Sequence, residues 1–114
     1  DVRLVYSWYK RAERMGQSLK SGLFLIESRI ADAGHGDAEA YFELGVAYSC
    51  GSSGLTVDLV EAHKWFNLAA LSGDERGQRM RAEIAGEMSA REIAEAQRQA
   101  RAWLSSHTPL RRAA

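Results

Sequence analysis

Residues 36–73 read GDAEAYFELGVAYSCGSSGLTVDLVEAHKWFNLAALSG, and the fold turns on this stretch. Ala40, Leu44 and Tyr48 recur every four residues, with Gly45 beside Leu44, a spacing that lines one face of a helix. A glycine inside a helix costs about 1 kcal/mol relative to alanine, so Gly45 predicts close approach by a neighbouring helix. Gly51-Ser52-Ser53-Gly54 then breaks the helix. Asp58 with Glu61 three positions on has the spacing of a capping box and starts a second helix. Ala62, Trp65, Ala69 and Ala70 form its apolar stripe, and Gly73 supplies the stop. Small and large residues alternating on both helices predict a tightly packed antiparallel pair.

Such a pair cannot bury both its faces alone, so further helices must stack on it. The pattern G-x3-A-x3-LG-x2-Y-x2-G, then G-L-x2-D-x3-A-x2-W-x3-AA-x2-G, resembles the Sel-one-like repeat, a relative of the tetratricopeptide repeat. The matching residues are Gly36, Ala40, Leu44, Gly45, Tyr48, Gly51, Gly54, Leu55, Asp58, Ala62, Trp65, Ala69, Ala70 and Gly73. The intervening turn is one residue longer than the family's usual form. The resemblance implies an all-α fold of antiparallel helix hairpins stacked as a short superhelix, or solenoid. It also implies a scaffold or adaptor role in bacterial signalling or envelope processes. Disulfide-rich members of the family have been linked to enzymatic activity, but this chain has one cysteine, so that implication does not carry over.

The 114 residues suit a single domain with a core that needs neither disulfide nor metal. Its expected divisions are an N-terminal helix hairpin over 1–35, the full repeat over 36–73, a decayed repeat with a capping helix over 74–106, and a tail over 107–114. The longest apolar run, Leu23 to Ile26, is far shorter than the ~18 residues of a membrane span, so no membrane insertion is expected. The chain begins at Asp1, as expected of a fragment or a processed product. The expected compartment is the cytoplasm, or the periplasm where a signal peptide has been removed.

Within residues 2–15, Val2, Val5, Trp8, Tyr9 and Ala12 mark an amphipathic helix, broken at Gly16-Gln17-Ser18. Leu19, Leu23, Ile26 and Ile30 mark the next, ending near Ala33 to Gly36. Trp8, Ala12 and Gly16 reproduce the spacing of Trp65, Ala69 and Gly73, but the interval between the two sets is too long by about one helix. The simpler reading is a degenerate first hairpin. After Gly73 the pattern restarts, with Arg81 and Ala82 in the places of Leu44 and Gly45. Ser89 with Glu92 forms another capping box. Ile93, Ala96, Ala100, Trp103 and Leu104 then line the apolar face of a charged last helix, expected to close the array.

Net charge is zero, yet residues 27–61 carry one arginine against seven carboxylates and residues 76–114 carry eight arginines against four. This reads either as solvated faces with local ion pairs or as a polarised surface that orients partners. Interleaved carboxylates and overall neutrality argue against nucleic acid. Cys50, His35, His63 and His107 have no metal-ligand spacing, and no nucleophile–base motif surrounds Cys50. The glycines of the turn lack the Gly-Lys-Ser/Thr of a phosphate loop. No metal, cofactor or catalytic residue is therefore expected. Trp8, Trp65 and Trp103 read as core or, alternatively, as a binding stripe.

What remains is a protein-interaction module, or a self-assembly unit that completes its core with a copy. Projected at about 100° per residue, the first helix of the repeat turns Tyr41, Leu44 and Tyr48 inward. Glu39, Phe42, Glu43 and Val46 point away from the pair's interface and form the expected protein-binding set. Phe42 and Val46 either pack on the adjacent hairpin or make an apolar patch beside carboxylates, suited to a basic peptide.

Overall fold

A computed structural model describes residue 3 and residues 19–52 and 54–107. The helix expected over 2–15, with Trp8, and the tail from residue 108 lie outside them. Among the described residues there are five α-helices and no strand: α1 (Leu19–Gly34), α2 (Ala38–Cys50), α3 (Leu59–Leu71), α4 (Glu75–Ala85) and α5 (Ala90–Ser106). The protein is all-helical, as the apolar spacing requires.

Each helix end follows from local chemistry. The Asp37, Asp58 and Asp74 side chains accept from the backbone N–H groups of Glu39, Glu61 and Arg76, at 3.0, 3.1 and 2.9 Å. These bonds satisfy donors that no carbonyl of the first turn can reach. The Ser89–Glu92 capping box forms with both its bonds, 3.1 and 2.8 Å. At Asp58 the expected box is half made, because the Glu61 carboxylate turns instead to Trp65 Nε1 and Lys64 Nζ. Gly73 has φ +94°, and Asp74 N–H donates to the Ala69 carbonyl while Gly73 N–H donates to Ala70, a Schellman ending. Gly51 ends α2 in the same left-handed region, at φ +66°, but there both Gly51 N–H and Ser52 N–H donate to the Ala47 carbonyl.

Helix α3 is the hub, packing on α2, α4 and α5, while α1 packs on α2. Ala62, Phe66, Leu68 and Ala69 of α3 and Leu44, Val46 and Ala47 of α2 are at most 1% exposed. Gly45 admits the Phe66 ring, since a β-carbon there would lie 2.5 Å from two ring carbons. The helix that follows repeats this device with backbone instead of a ring. A β-carbon on Gly77 would meet the Phe66 carbonyl oxygen at 2.8 Å and the Ala70 nitrogen at 3.0 Å. Gly77, and not Ala82, is therefore the close-approach position of α4. Ala82, one repeat length after Gly45, is exposed, while Asp37 and Asp74 cap their helices at that same interval.

The last helix also departs from simple continuation. Ala96 and Ala100 are buried and Trp103 and Leu104 pack on the core, as their spacing predicts. Yet α5 packs chiefly on α3, not on α4, the helix it follows. On α3, Asn67 and the Phe66–Ala70 backbone serve α4, while Trp65 meets Trp103 edge-on at 4.8 Å. Trp65 and Asn67 lie about 200° apart around the helix, so α4 and α5 take opposite flanks. The far end of α5 reaches back to Tyr41 and to Gly34 at the corner between α1 and α2.

Candidate functional site

The face of α2 that does not pack on α3 is bordered by α1 on one side and α4 on the other. Val46 is fully buried and Phe42 is 7% exposed, so of the two readings of this pair it is packing, and not an exposed apolar patch, that holds. The Phe42 ring lies 5.7 Å from that of Phe66 on α3, and the Arg76 guanidinium of α4 covers it at 4.1 Å. This corrects the outward orientation expected for Phe42 and Val46. The projection counted a single partner for α2, whereas three helices pack around it.

Above that buried layer runs a strip of ion pairs. Arg76 binds Glu39 at 2.5 Å and the N-capping Asp74 at 2.8 Å, tying α2 to α4. Arg29 binds Glu43, tying α1 to α2, and lies 3.6 Å from Asp32 on its own helix. Hydrogen bonds from the Arg76 side chain hold the Asp74 carboxyl below the usual carboxylate range, against the opposing pull of partial burial. The Arg76 guanidinium is raised in turn, first by its bond to Asp74. Of the four expected binding residues, Glu39 and Glu43 thus stand at the surface with arginine partners, while Phe42 and Val46 lie beneath. Arg29, Asp74 and Arg76 complete the strip and carried no signal as a set, because Arg29 lies on α1 and the other two at the start of α4, with α2 and α3 between them in the chain.

A second cluster joins α2, α3 and α5. Tyr41 stacks on Trp65 at 6.0 Å, and Trp103 donates its indole N–H to the Tyr41 hydroxyl at 3.3 Å. The His107 ring stacks on Trp103 at 3.7 Å. Lys64 Nζ lies 4.6 Å from the Trp65 ring centre, over indole whose N–H is held by Glu61. Trp65 is 3% exposed and belongs to the core. Beside this cluster the Tyr48 phenol is raised above its ordinary value by burial, then by Glu61 and Asp58.

The remaining chemistry-bearing residues are scattered. His35 is exposed, His63 is buried on α3, and His107 is taken up by Trp103. Cys50 Sγ lies 3.7 Å from Ser49 Oγ at the end of α2. Among the described residues no three His, Cys, Asp or Glu side chains converge as metal ligands would. No described helix is long and apolar enough to cross a membrane. Comparison with known proteins returns no matching family model, no matching curated protein and no matching solved structure.

Proposed function

We propose that this chain is a non-catalytic protein-interaction module whose contact surface is the charged strip on α2. The supporting observation is the placement of Glu39 and Glu43 on a helix whose other faces are locked in the core. A contact surface on a rigid helix loses little conformational freedom on binding. Glu39, with 55% of its side chain exposed, is the carboxylate most open to a partner's basic group, which would compete with Arg76 for it. The partner is accordingly a basic peptide or protein segment. The spacing that resembles Sel-one-like repeats supports the same reading, including a bacterial scaffold role and a solenoid ancestry of the hairpin.

The test is calorimetric titration of the intact protein with a panel of Lys/Arg-rich peptides at low and high salt. Binding that weakens with salt and is lost in the Glu39→Lys, Glu43→Lys double variant is the expected result. Equal affinity in parent and variant would move the site elsewhere. A second reading, self-association, is favoured by Phe24 and Ile30 on α1, which are 72% and 39% exposed. Sedimentation across micromolar to millimolar concentration separates the two, since a strict monomer rules out self-assembly.

A further inference from the structure

His63 is 2% exposed, and its Nδ1 is buried without a hydrogen-bond partner. A buried polar atom left unpaired is costly and calls for an explanation. The residue sits one turn before Asn67 on the flank of α3 that α4 covers. There Arg81 of α4 donates to the Asn67 side-chain oxygen. Burial, and then the positive charge of Arg81, hold the imidazole below its ordinary range, so it is neutral at pH 7.

Were it protonated, no counter-charge is at hand among the described residues. From α4 the charge facing it is Arg81, of the same sign, while Glu83 is exposed and Glu75 lies at the far end of the helix. The carboxylates of α2, Glu39 and Glu43, are bound by Arg76 and Arg29, and Tyr48 lies toward Glu61 and Asp58. On α5, Glu92 closes the capping box and Glu95 binds Arg98. On α3 itself, Asp58 caps the helix and Glu61 binds Lys64 and Trp65.

The element best placed to yield is α4. It covers the His63 flank with only Gly77, Met80 and Ile84 buried, against seven buried residues in α2, while α5, with two, lies on the other flank. We infer that His63 makes the α3–α4 contact acid-sensitive: in mildly acidic solution its protonation releases α4 and uncovers the Phe42–Phe66 layer. Contacts within α2–α3 and between α3 and α5 stay in place, because Trp65, Tyr41 and Trp103 lie on the other flank. The closed state resists the proton while the open state accepts it near the ordinary pKa of about 6.5. The closed-to-open ratio therefore falls about tenfold per pH unit below that value, until the depressed pKa of the closed state is reached.

Hydrogen exchange of the full chain, followed amide by amide between pH 7.5 and 5 and corrected for intrinsic rates, tests this. Protection of residues 79–85 should drop about tenfold or more relative to residues 40–47, and a His63→Leu variant should lose that pH dependence. Arg81→Gln should shrink the drop, because loss of that charge brings the closed-state pKa up toward the open-state value while the onset stays where it is. Titration of the His63 ring in the parent by NMR keeps the test open if the leucine variant does not fold. Protonation of the ring with no change in α4 protection would overturn the inference. So would loss of protection in α2 and α4 in step, or the same drop in His63→Leu as in the parent.

Discussion

Trp103 reaches across 62 positions of chain to donate its indole N–H to the Tyr41 hydroxyl at 3.3 Å. With the edge of Trp103 against Trp65, this contact fixes where α5 lies. Tyr41→Phe removes the acceptor alone and should cost about 1 kcal/mol. Trp103→Ala also removes the packing and should cost about 3 kcal/mol. Urea unfolding of both variants with the parent measures the difference. Equal stability in all three would mean that α5 is not seated on this surface.

Adding a methyl group at Gly45 or Gly77 sets two effects against each other. Alanine is the better helix former by about 1 kcal/mol. Against this, the new carbon at Gly45 meets the fully buried Phe66 ring, and at Gly77 it meets the backbone of α3. Overpacking costs about 1–3 kcal/mol and outweighs the propensity gain. Both variants should melt below the parent, with Gly77→Ala the lower, because backbone cannot swing aside as a ring can. Thermal melts by circular dichroism decide the order.

Trp65 carries both a packing and a polar contribution. Trp65→Ala should destabilise by about 3–5 kcal/mol, a large share of a small domain's stability. Trp65→Phe retains much of the apolar contact but leaves the Glu61 carboxylate without the indole donor. It should fall between alanine and the parent. Chemical denaturation provides the ranking, and a fully stable Trp65→Ala would contradict its place in the core.

The Arg76 contacts are exposed enough to be weak but specific in their pH signature. Exposed ion pairs contribute about 0–1 kcal/mol, and Arg76→Ala should cost little more, part of it from uncovering Phe42. The Asp74 carboxyl is depressed in the folded state, so what Arg76 contributes is fully present above the unfolded value of about 3.9. That contribution is lost as pH falls through the lower folded value. The stability gap between parent and Arg76→Ala should therefore close in acid, below about pH 4. A gap that persists at pH 2 would assign the effect to packing on Phe42 alone.

The parts of this fold that were legible in the sequence are those set within a few residues. Asp58 and Ser89 announce helix starts, Gly51 and Gly73 announce stops, and the Ala–Leu–Trp spacing picks out the core faces of α2 and α3, while the caps at Asp37 and Asp74 emerge only in the structure. What escaped is what depends on distant chain. Glu39 and Arg76 are 37 positions apart, and nothing in either neighbourhood specifies their pairing. Phe42 was ambiguous because a helical wheel records the angle of a side chain and not how many helices surround it. The repeat spacing put Ala82 in the place of Gly45, although Gly77 alone leaves room for the α3 backbone. The flank chosen by α5 is a tertiary outcome of Trp103 finding Trp65 and Tyr41.

The doubling back of α5 has a consequence for biosynthesis. Chains grow from the N-terminus at about 5–20 residues per second, so Tyr41 and Trp65 are made seconds before Trp103. During that interval α2, α3 and α4 can already assemble, because each packs on its neighbour in the chain. The flank of α3 that carries Trp65 must then wait, with its indole open to water and to other nascent chains. Translation speed through the codons for residues 74–103 thereby sets how long that flank stays open, and slowing it should lower the yield of folded protein.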